Sequence, residues 1–317
     1  MMSLYAQKRI EMSFRVDIKI ISMIRIGYRA HDFGSFDSAD KLASAIEEKD
    51  KNAFIQLALN KVIPSARNWK DWDEEYIACI REALLKHGVK IGIVGCYIQP
   101  VHPDEDKRRS DIERFKKSIR LNKAFGCNII ATETGTRNPK GGYSLDTAEP
   151  KYIELFYSAL SEMVEEAEKY NALCTIEAVA HTHTMSTPER MARMLEKFPS
   201  KNLKVLFDPV NLIPYSGIIE KDGTYLAHPS EEAQRAFYTP ILDLYQDRLV
   251  AIHCKDFVLS ENDGHKIGDI PALTGVFDWN GFIKELVKRG IDVPITLENL
   301  DPKTVVETKK KLESFAL

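Results

Sequence analysis

Four stretches in the second half of the chain decide its fold: CTIEAV (residues 174–179), VLFDPVN (205–211), VAIHCKD (250–256) and PITLEN (294–299). Each is a short apolar run that leads into a residue able to bind a metal or move a proton: Glu177, Asp208, His253 and Glu298. The intervals between these residues are 31, 45 and 45 positions, one strand-plus-helix unit each once two long loops, Ile213–Pro229 and Phe257–Asp278, are allowed for.

Upstream the same beat continues. Strands are expected at Ile24–Ala30, Phe54–Leu59, Lys90–Tyr97, Asn128–Thr132, Leu173–Ala178, Lys204–Phe207, Leu249–Cys254 and Pro294–Leu297. Amphipathic helices are expected at Ser38–Lys49, Asp73–His87, Asp106–Phe125, Thr147–Tyr170, Pro188–Phe198, Ser230–Tyr245, Trp279–Arg289 and Pro302–Phe315. Asp278 can cap the helix at Trp279, Thr187 precedes Pro188 at a first-turn position, and Gly88, Gly126 and Gly290 follow helix ends. Strands alternating with helices imply parallel βαβ units. Eight of them make a single α/β domain, a (β/α)8 TIM barrel with parallel strands, typically of about 250 residues. The barrel is expected over residues 23–317. Residues 1–22 read as an extension outside it, with mixed charges and no small-residue cleavage site, so not a signal peptide.

Composition narrows the function classes. The 317 residues carry 44 Lys+Arg against 47 Asp+Glu, a net charge of −3, which excludes a generally basic, DNA-coating protein. No run of 18 apolar residues suggests a membrane span. Five cysteines without a CxxC pair read as separate reduced thiols in a cytoplasmic protein.

Barrels of this kind place their chemistry at the C-terminal ends of the strands, so four polar residues ending successive late strands converge on one point. Two Glu, one Asp and one His suit a divalent cation: Mn²⁺ first, then Mg²⁺, Co²⁺ or Zn²⁺. Each residue alone has a plainer reading. The glutamates could be solvated, His253 a satisfied core histidine, and Asp208 the opener of a turn before Pro209. Burying three carboxylates together without a cation is costly, because like charges raise one another's pKa. That cost favours the metal site.

At this point the sequence resembles the xylose isomerase-like TIM-barrel superfamily of sugar isomerases and epimerases, which also includes endonuclease IV. The residues that carry the likeness are IEAVAHTHT (176–184), LFDPVN (206–211), IHCKD (252–256) and GVFDW with TLEN (275–279 and 296–299), with GCYIQPVHPD (95–104) and IIATETG (129–135) earlier. The resemblance implies one divalent metal held by Glu177, Asp208, His253 and Glu298, with Glu177 and Glu298 as the acid/base pair on opposite faces of a sugar. A proton next to a carbonyl would be abstracted and a metal-stabilised enediolate formed. Its return to the same carbon with inversion is epimerisation, and to the neighbouring carbon isomerisation. The alternative on the same fold is a dehydratase of a keto-sugar, keto-inositol or shikimate-like acid. Further from the pattern lie an endonuclease IV-like nuclease and a non-catalytic sugar-binding barrel. Asn211 stands where the superfamily often has a histidine, His183 where ketose epimerases have a glutamate, and the Asp-x-His of the nuclease is missing after HCKD.

The partner expected is a small sugar or polyol, with no nucleic acid and no membrane; the resemblance adds a homo-oligomer, dimer or tetramer. Substrate contacts are expected from His181, His183, Asn211, Lys255, Glu133, His102 and Trp69. Thr134, Trp72, Tyr97, His31 and Asp32 are further rim residues, each with a packing or loop-bonding alternative. Lys255 could pair with Asp256 instead of with substrate. Gly141–Gly142 lacks the phosphate-loop pattern and reads as a flexible loop.

Overall fold

The computed structural model describes residues 24–317. The expectation for residues 1–22 lies outside the described residues.

Eight parallel strands form a closed barrel: β1 (Arg25–Arg29), β2 (Phe54–Leu57), β3 (Lys90–Gly95), β4 (Ile129–Glu133), β5 (Leu173–Glu177), β6 (Leu203–Phe207), β7 (Leu249–Cys254) and β10 (Pro294–Leu297), with β1 pairing to β10 to close the ring. The two strands between, β8 (Asp256–Leu259) and β9 (Lys266–Ile270), form an antiparallel hairpin on the rim. Eight main helices follow the barrel strands: α1 (Ala39–Glu47), α2 (Glu74–Lys86), α3 (Glu105–Arg120), α4 (Pro150–Tyr170), α5 (Pro188–Lys197), α6 (Glu231–Tyr245), α7 (Trp279–Arg289) and α8 (Val305–Ser314).

Local chemistry accounts for the helix ends. Asp278 accepts from the Gly281 amide at 2.8 Å to open α7, and Thr187 accepts from the Arg190 amide at 3.3 Å to open α5 with Pro188 in its first turn. Gly126 and Gly290 take the left-handed conformation past helix ends. Gly88, after α2, has φ +72°, and a Cβ there would meet the Lys51 carbonyl oxygen at 2.1 Å, so no other residue fits.

The barrel interior decides where polar side chains can go. Ile93, Ala131, Leu206 and Ala251, from β3, β4, β6 and β7, pack as a small cluster separate from the main core between strands and helices. Side chains alternate along a strand, so the residues two positions further on, including Glu133, Asp208 and His253, share the inward direction at the C-terminal rim. The apolar layer is thus a floor, and the polar residues stand on it.

Two expectations change. The helix over Asp106–Phe125 is interrupted at Leu121, where the backbone leaves the helical region, and a separate turn covers Asn122–Phe125. The segment Phe257–Asp278 is not merely a loop, because it contains most of the β8–β9 hairpin. Asp256 anchors it: its Oδ1 accepts from the Phe257 and Phe277 amides at 2.9 Å each, and its Oδ2 from the Leu273 amide at 3.0 Å. The five cysteines are free, and four are buried.

Candidate functional site

At the C-terminal rim, Glu177 ends β5, Asp208 directly follows β6, and His253 lies in β7. Each offers a ligand-type atom, and these atoms lie within 4.8 Å of one another. His253 Nδ1 is 3.3 Å from Glu177 Oε1, 3.2 Å from Glu298 Oε1 and 4.0 Å from Asp208 Oδ2. Despite these charged neighbours, Nδ1 is buried with no hydrogen-bond partner. Glu298, just past β10, faces His253 but stands outside the compact triad. Arg29 Nη1 is 3.1 Å from its Oε1, and Lys255 Nζ is 3.4 Å from its Oε2.

The other ring nitrogen of His253 is fixed from across the barrel. Gln56 in β2, fully buried, places Oε1 2.6 Å from His253 Nε2 while its amide donates to Tyr97 Oη at 2.6 Å. With Oε1 as the acceptor, Nε2 carries the proton, and in the neutral ring the Nδ1 lone pair points at the carboxylates. Such a nitrogen is what a metal site presents, and three carboxylates around it complete an oxygen-rich donor set. The residues fit a divalent cation.

Electrostatics agree with a crowded, buried cluster. Burial opposes the charge of His253, but Glu298 and Glu177 outweigh it and raise its pKa to about 9, so near neutral pH Nδ1 carries a proton that a bound cation would displace. Burial also opposes ionisation of Glu298, yet His253, Lys255 and Arg29 hold it well below the usual carboxylate range. Asp208 is raised, by burial first and by Glu177 and Glu298 next, against Lys255. Lys255 is raised despite burial, because Asp208 and Glu298 face it, the former at 3.0 Å. The ammonium therefore points into the cluster, and Asp256 turns away to the hairpin backbone; the two do not form a mutual pair.

Asp208 combines both of its readings. Its Oδ1 accepts from the Asn211 amide at 2.8 Å and opens a short helix, Pro209–Leu212, and its Oδ2 faces Lys255. Asn211 reaches back, donating from Nδ2 to Glu177 Oε1 at 2.6 Å.

Above the cluster lies a cavity of about 380 Å³, whose lining includes Glu133, His181, His183, Asn211, Lys255 and Glu298. His183 is buried, with Nε2 3.7 Å from Glu133 Oε2, and burial lowers its pKa to about 4. His181 adopts φ +67°, a left-handed backbone rare for non-glycine residues. His102 and Trp69 do not line this cavity. His102 Nδ1 accepts from the Asp104 amide at 3.0 Å, and Trp69 belongs to a short turn with Lys117 Nζ 5.9 Å from its ring centroid. Asp32 holds Arg29, accepting from Nε at 2.9 and 3.0 Å, and His31 packs edge-on to Tyr97. A larger cavity, about 820 Å³, opens at the opposite end of the barrel, but no metal-ligating cluster lies there among the described residues.

Sequence reasoning missed Arg29, Gln56 and Lys266. Lys266, in β9, lines the cavity and donates to the Val210 and Ile213 carbonyls at 2.7 Å each. Burial lowers its pKa to about 8.

A family model described as "Xylose isomerase-like TIM barrel" matches residues 52–315. A comparison with curated proteins gives no match. Among solved structures, a D-tagatose 3-epimerase-like protein is 18% identical, with 92% of this chain and 97% of that one covered at a TM-score of 0.65. A xylose isomerase-like TIM barrel protein from Mycobacterium smegmatis in complex with magnesium is 16% identical, covering 92% and 96%, also at 0.65. The probable 3-DHS dehydratase AsbF from Bacillus anthracis is 13% identical, covering 93% and 97%, at 0.62. At these identities the structures speak to the fold.

Proposed function

The chain belongs to the xylose isomerase-like TIM-barrel family, and from that premise we propose that it is a divalent-metal-dependent sugar isomerase or epimerase. The observation that carries this reading is the orphaned Nδ1 of His253 facing Glu177, Asp208 and Glu298 in a buried cluster. A cation held by these four residues, Mn²⁺ ahead of Mg²⁺, Co²⁺ or Zn²⁺, would polarise a substrate carbonyl and stabilise the charge that loss of the neighbouring proton creates.

The chain's own groups do the rest. Glu177 and Glu298 are the carboxylates that take and return the proton. Asn211 orients the first through Oε1, while Arg29 and Lys255 hold the second by both oxygens. His181, His183 and Glu133 line the cavity and would meet substrate hydroxyls there. The free thiols fit a reducing, cytoplasmic setting.

A dehydratase is the second reading, favoured by the His183–Glu133 pair on that wall, which could pass a proton to a departing hydroxyl. Incubating the manganese-loaded protein with ketoses and keto-inositols in D₂O separates the two by NMR. The isomerase or epimerase leaves carbon-bound deuterium in a sugar product. The dehydratase loses water to an enone or keto product. Failure to do either with any such substrate overturns both.

Gln56 offers an independent check on the metal. Gln56→Leu removes the acceptor that pins His253 Nε2, and manganese affinity measured by calorimetry is expected to fall by about 10- to 100-fold, the usual cost of losing such a partner. Gln56→Glu, which keeps an acceptor, should recover most of it. Equal affinity in all three proteins would show that the Gln56 contact does not govern metal binding at His253.

A further inference from the structure

The cavity is chemically divided along its depth. Its deep part is made by residues at the strand ends, Glu133, Lys255 and Glu298; its outer part by loop residues further along the chain, among them Val179, Ala180, Ile213 and Tyr215. That outer part mixes apolar and aromatic residues with polar ones, Thr182, Lys266 and Asp269, and its aromatic side does not stop at the cavity edge. Tyr143, His181, Tyr215 and His265 form a continuous ring stack, with successive centroids 4.4, 5.0 and 4.1 Å apart and planes within 10°, 6° and 28° of parallel. These rings come from four different connections: after β4, after β5, after β6, and between β8 and β9. His181 and Tyr215, the two middle rings, also line the cavity.

Apolar exposure concentrates on the same face. Among the described residues, eight of the ten large hydrophobic side chains left exposed lie on the connections after β4, β6 and β7. Leu145 is 81% exposed, Tyr143 50% and Tyr215 44%, with Tyr225, Leu226 and Ile267 beside them in those connections. Scattered exposed hydrophobics need no explanation, but exposed rings joined to a cavity through one stack, as Tyr143 and Tyr215 are through His181, mark a binding surface. The wall is also tied in place. The Lys266 amide donates to the Tyr215 carbonyl at 2.8 Å, and its ammonium bridges the Val210 and Ile213 carbonyls, so three hydrogen bonds join the hairpin to the β6 connection.

A free sugar or polyol has hydroxyls for the polar groups of the cavity and nothing for its aromatic side. The geometry points to a substrate of mixed character: a sugar ring that keeps a ring ketone for the proton abstraction and carries an apolar, ring-sized substituent, that is, an aryl or comparable glycoside of a keto-sugar. The sugar ring lies against the carboxylate cluster, and the substituent lies along the Tyr143–His181–Tyr215–His265 wall. This rests on the proposed function only in giving the sugar its ketone and placing its ring at the carboxylates. Continuity between wall and cavity assigns the apolar surface to a ligand instead of a second copy of the chain, which would sit across the entrance.

The test is binding of methyl and phenyl glycosides of the same keto-sugar, the 3-keto forms of glucose and galactose each, to the full chain equilibrated with Mn²⁺, by calorimetry. The phenyl glycoside of at least one sugar is expected to bind about tenfold tighter or more than its methyl counterpart, the scale set by burying one aromatic ring. Tyr215→Ala is expected to shrink that ratio toward one, whereas Tyr215→Phe keeps it. Equal binding of the two glycosides, or binding of neither, overturns the inference. A wild-type dimer that Leu226→Lys returns to monomers in sedimentation velocity also overturns it, by giving the rim to a second copy. Manganese uptake in the same samples reads the proposed function separately.

Discussion

Asp208→Ala is expected to abolish stoichiometric metal binding and to lower turnover by about a thousandfold, on the scale of losing a principal electrostatic stabiliser of the transition state. Wild-type protein purified without chelator should carry about one Mn, Mg, Co or Zn per chain by elemental analysis, and the variant none. The alanine removes two things at once, because Oδ1 caps the Pro209–Leu212 turn and Oδ2 faces Lys255. The cap alone is worth about 1 kcal/mol, which lowers stability without touching the metal. Asp208→Asn separates the effects. Its amide oxygen can still accept from the Asn211 backbone, so the turn survives, but the negative charge is gone. If Asp208→Asn is folded and metal-free, the carboxylate is a ligand. Asp208→Asn with a full complement of metal, or a wild type that takes up none after soaking in Mn²⁺, sinks the proposed mechanism.

The parts of this site that were legible in the sequence share one property: each reveals itself within its own strand. Glu177, Asp208, His253 and Glu298 are polar endings to apolar runs, and a one-dimensional beat is enough to align them on one rim. Gln56 also interrupts an apolar run, Phe54–Leu57, but a single polar residue inside a strand has no local meaning. Its role appears only when β2 and β7 face each other across the closed barrel, bringing residues 197 positions apart to 2.6 Å. Arg29 is similar, since its partner Glu298 lies at the other end of the chain and meets it only because β1 pairs with β10. The hairpin had a signal that went unread. Asp263–Gly264 is a turn dipeptide, and Gly264 takes φ +70°. The flanking sequences, DFVL and KIGDI, however, lack the apolar/polar alternation that marks a strand. Trp69 and His102 have site-like chemistry and lie on the connections after β2 and β3, but packing within those connections holds them elsewhere.

Glu298→Gln tests the acid/base assignment instead of the metal. The amide has nearly the same shape but cannot accept a proton, and its NH₂ must face either Arg29 or Lys255, both of which now face carboxylate oxygens. Some metal affinity is therefore expected to be lost, yet Glu177, Asp208 and His253 remain, and the ion should be restored at raised Mn²⁺ concentration. Turnover should not be restored with it. Loss of a positioned general acid or base costs about 10²- to 10⁴-fold, and that deficit is expected to persist at saturating metal. The two-carboxylate arrangement gives a sharper signature in D₂O. With Glu177 intact, a proton can still leave and return on one face of the substrate, so one epimer exchanges its proton for deuterium without being converted. The opposite epimer, whose proton faces residue 298, neither exchanges nor converts. Glu177→Gln should show the mirror-image pattern. If both epimers still exchange in Glu298→Gln, a different group carries that proton; His183 and Glu133, on the same cavity wall, would be the next to replace.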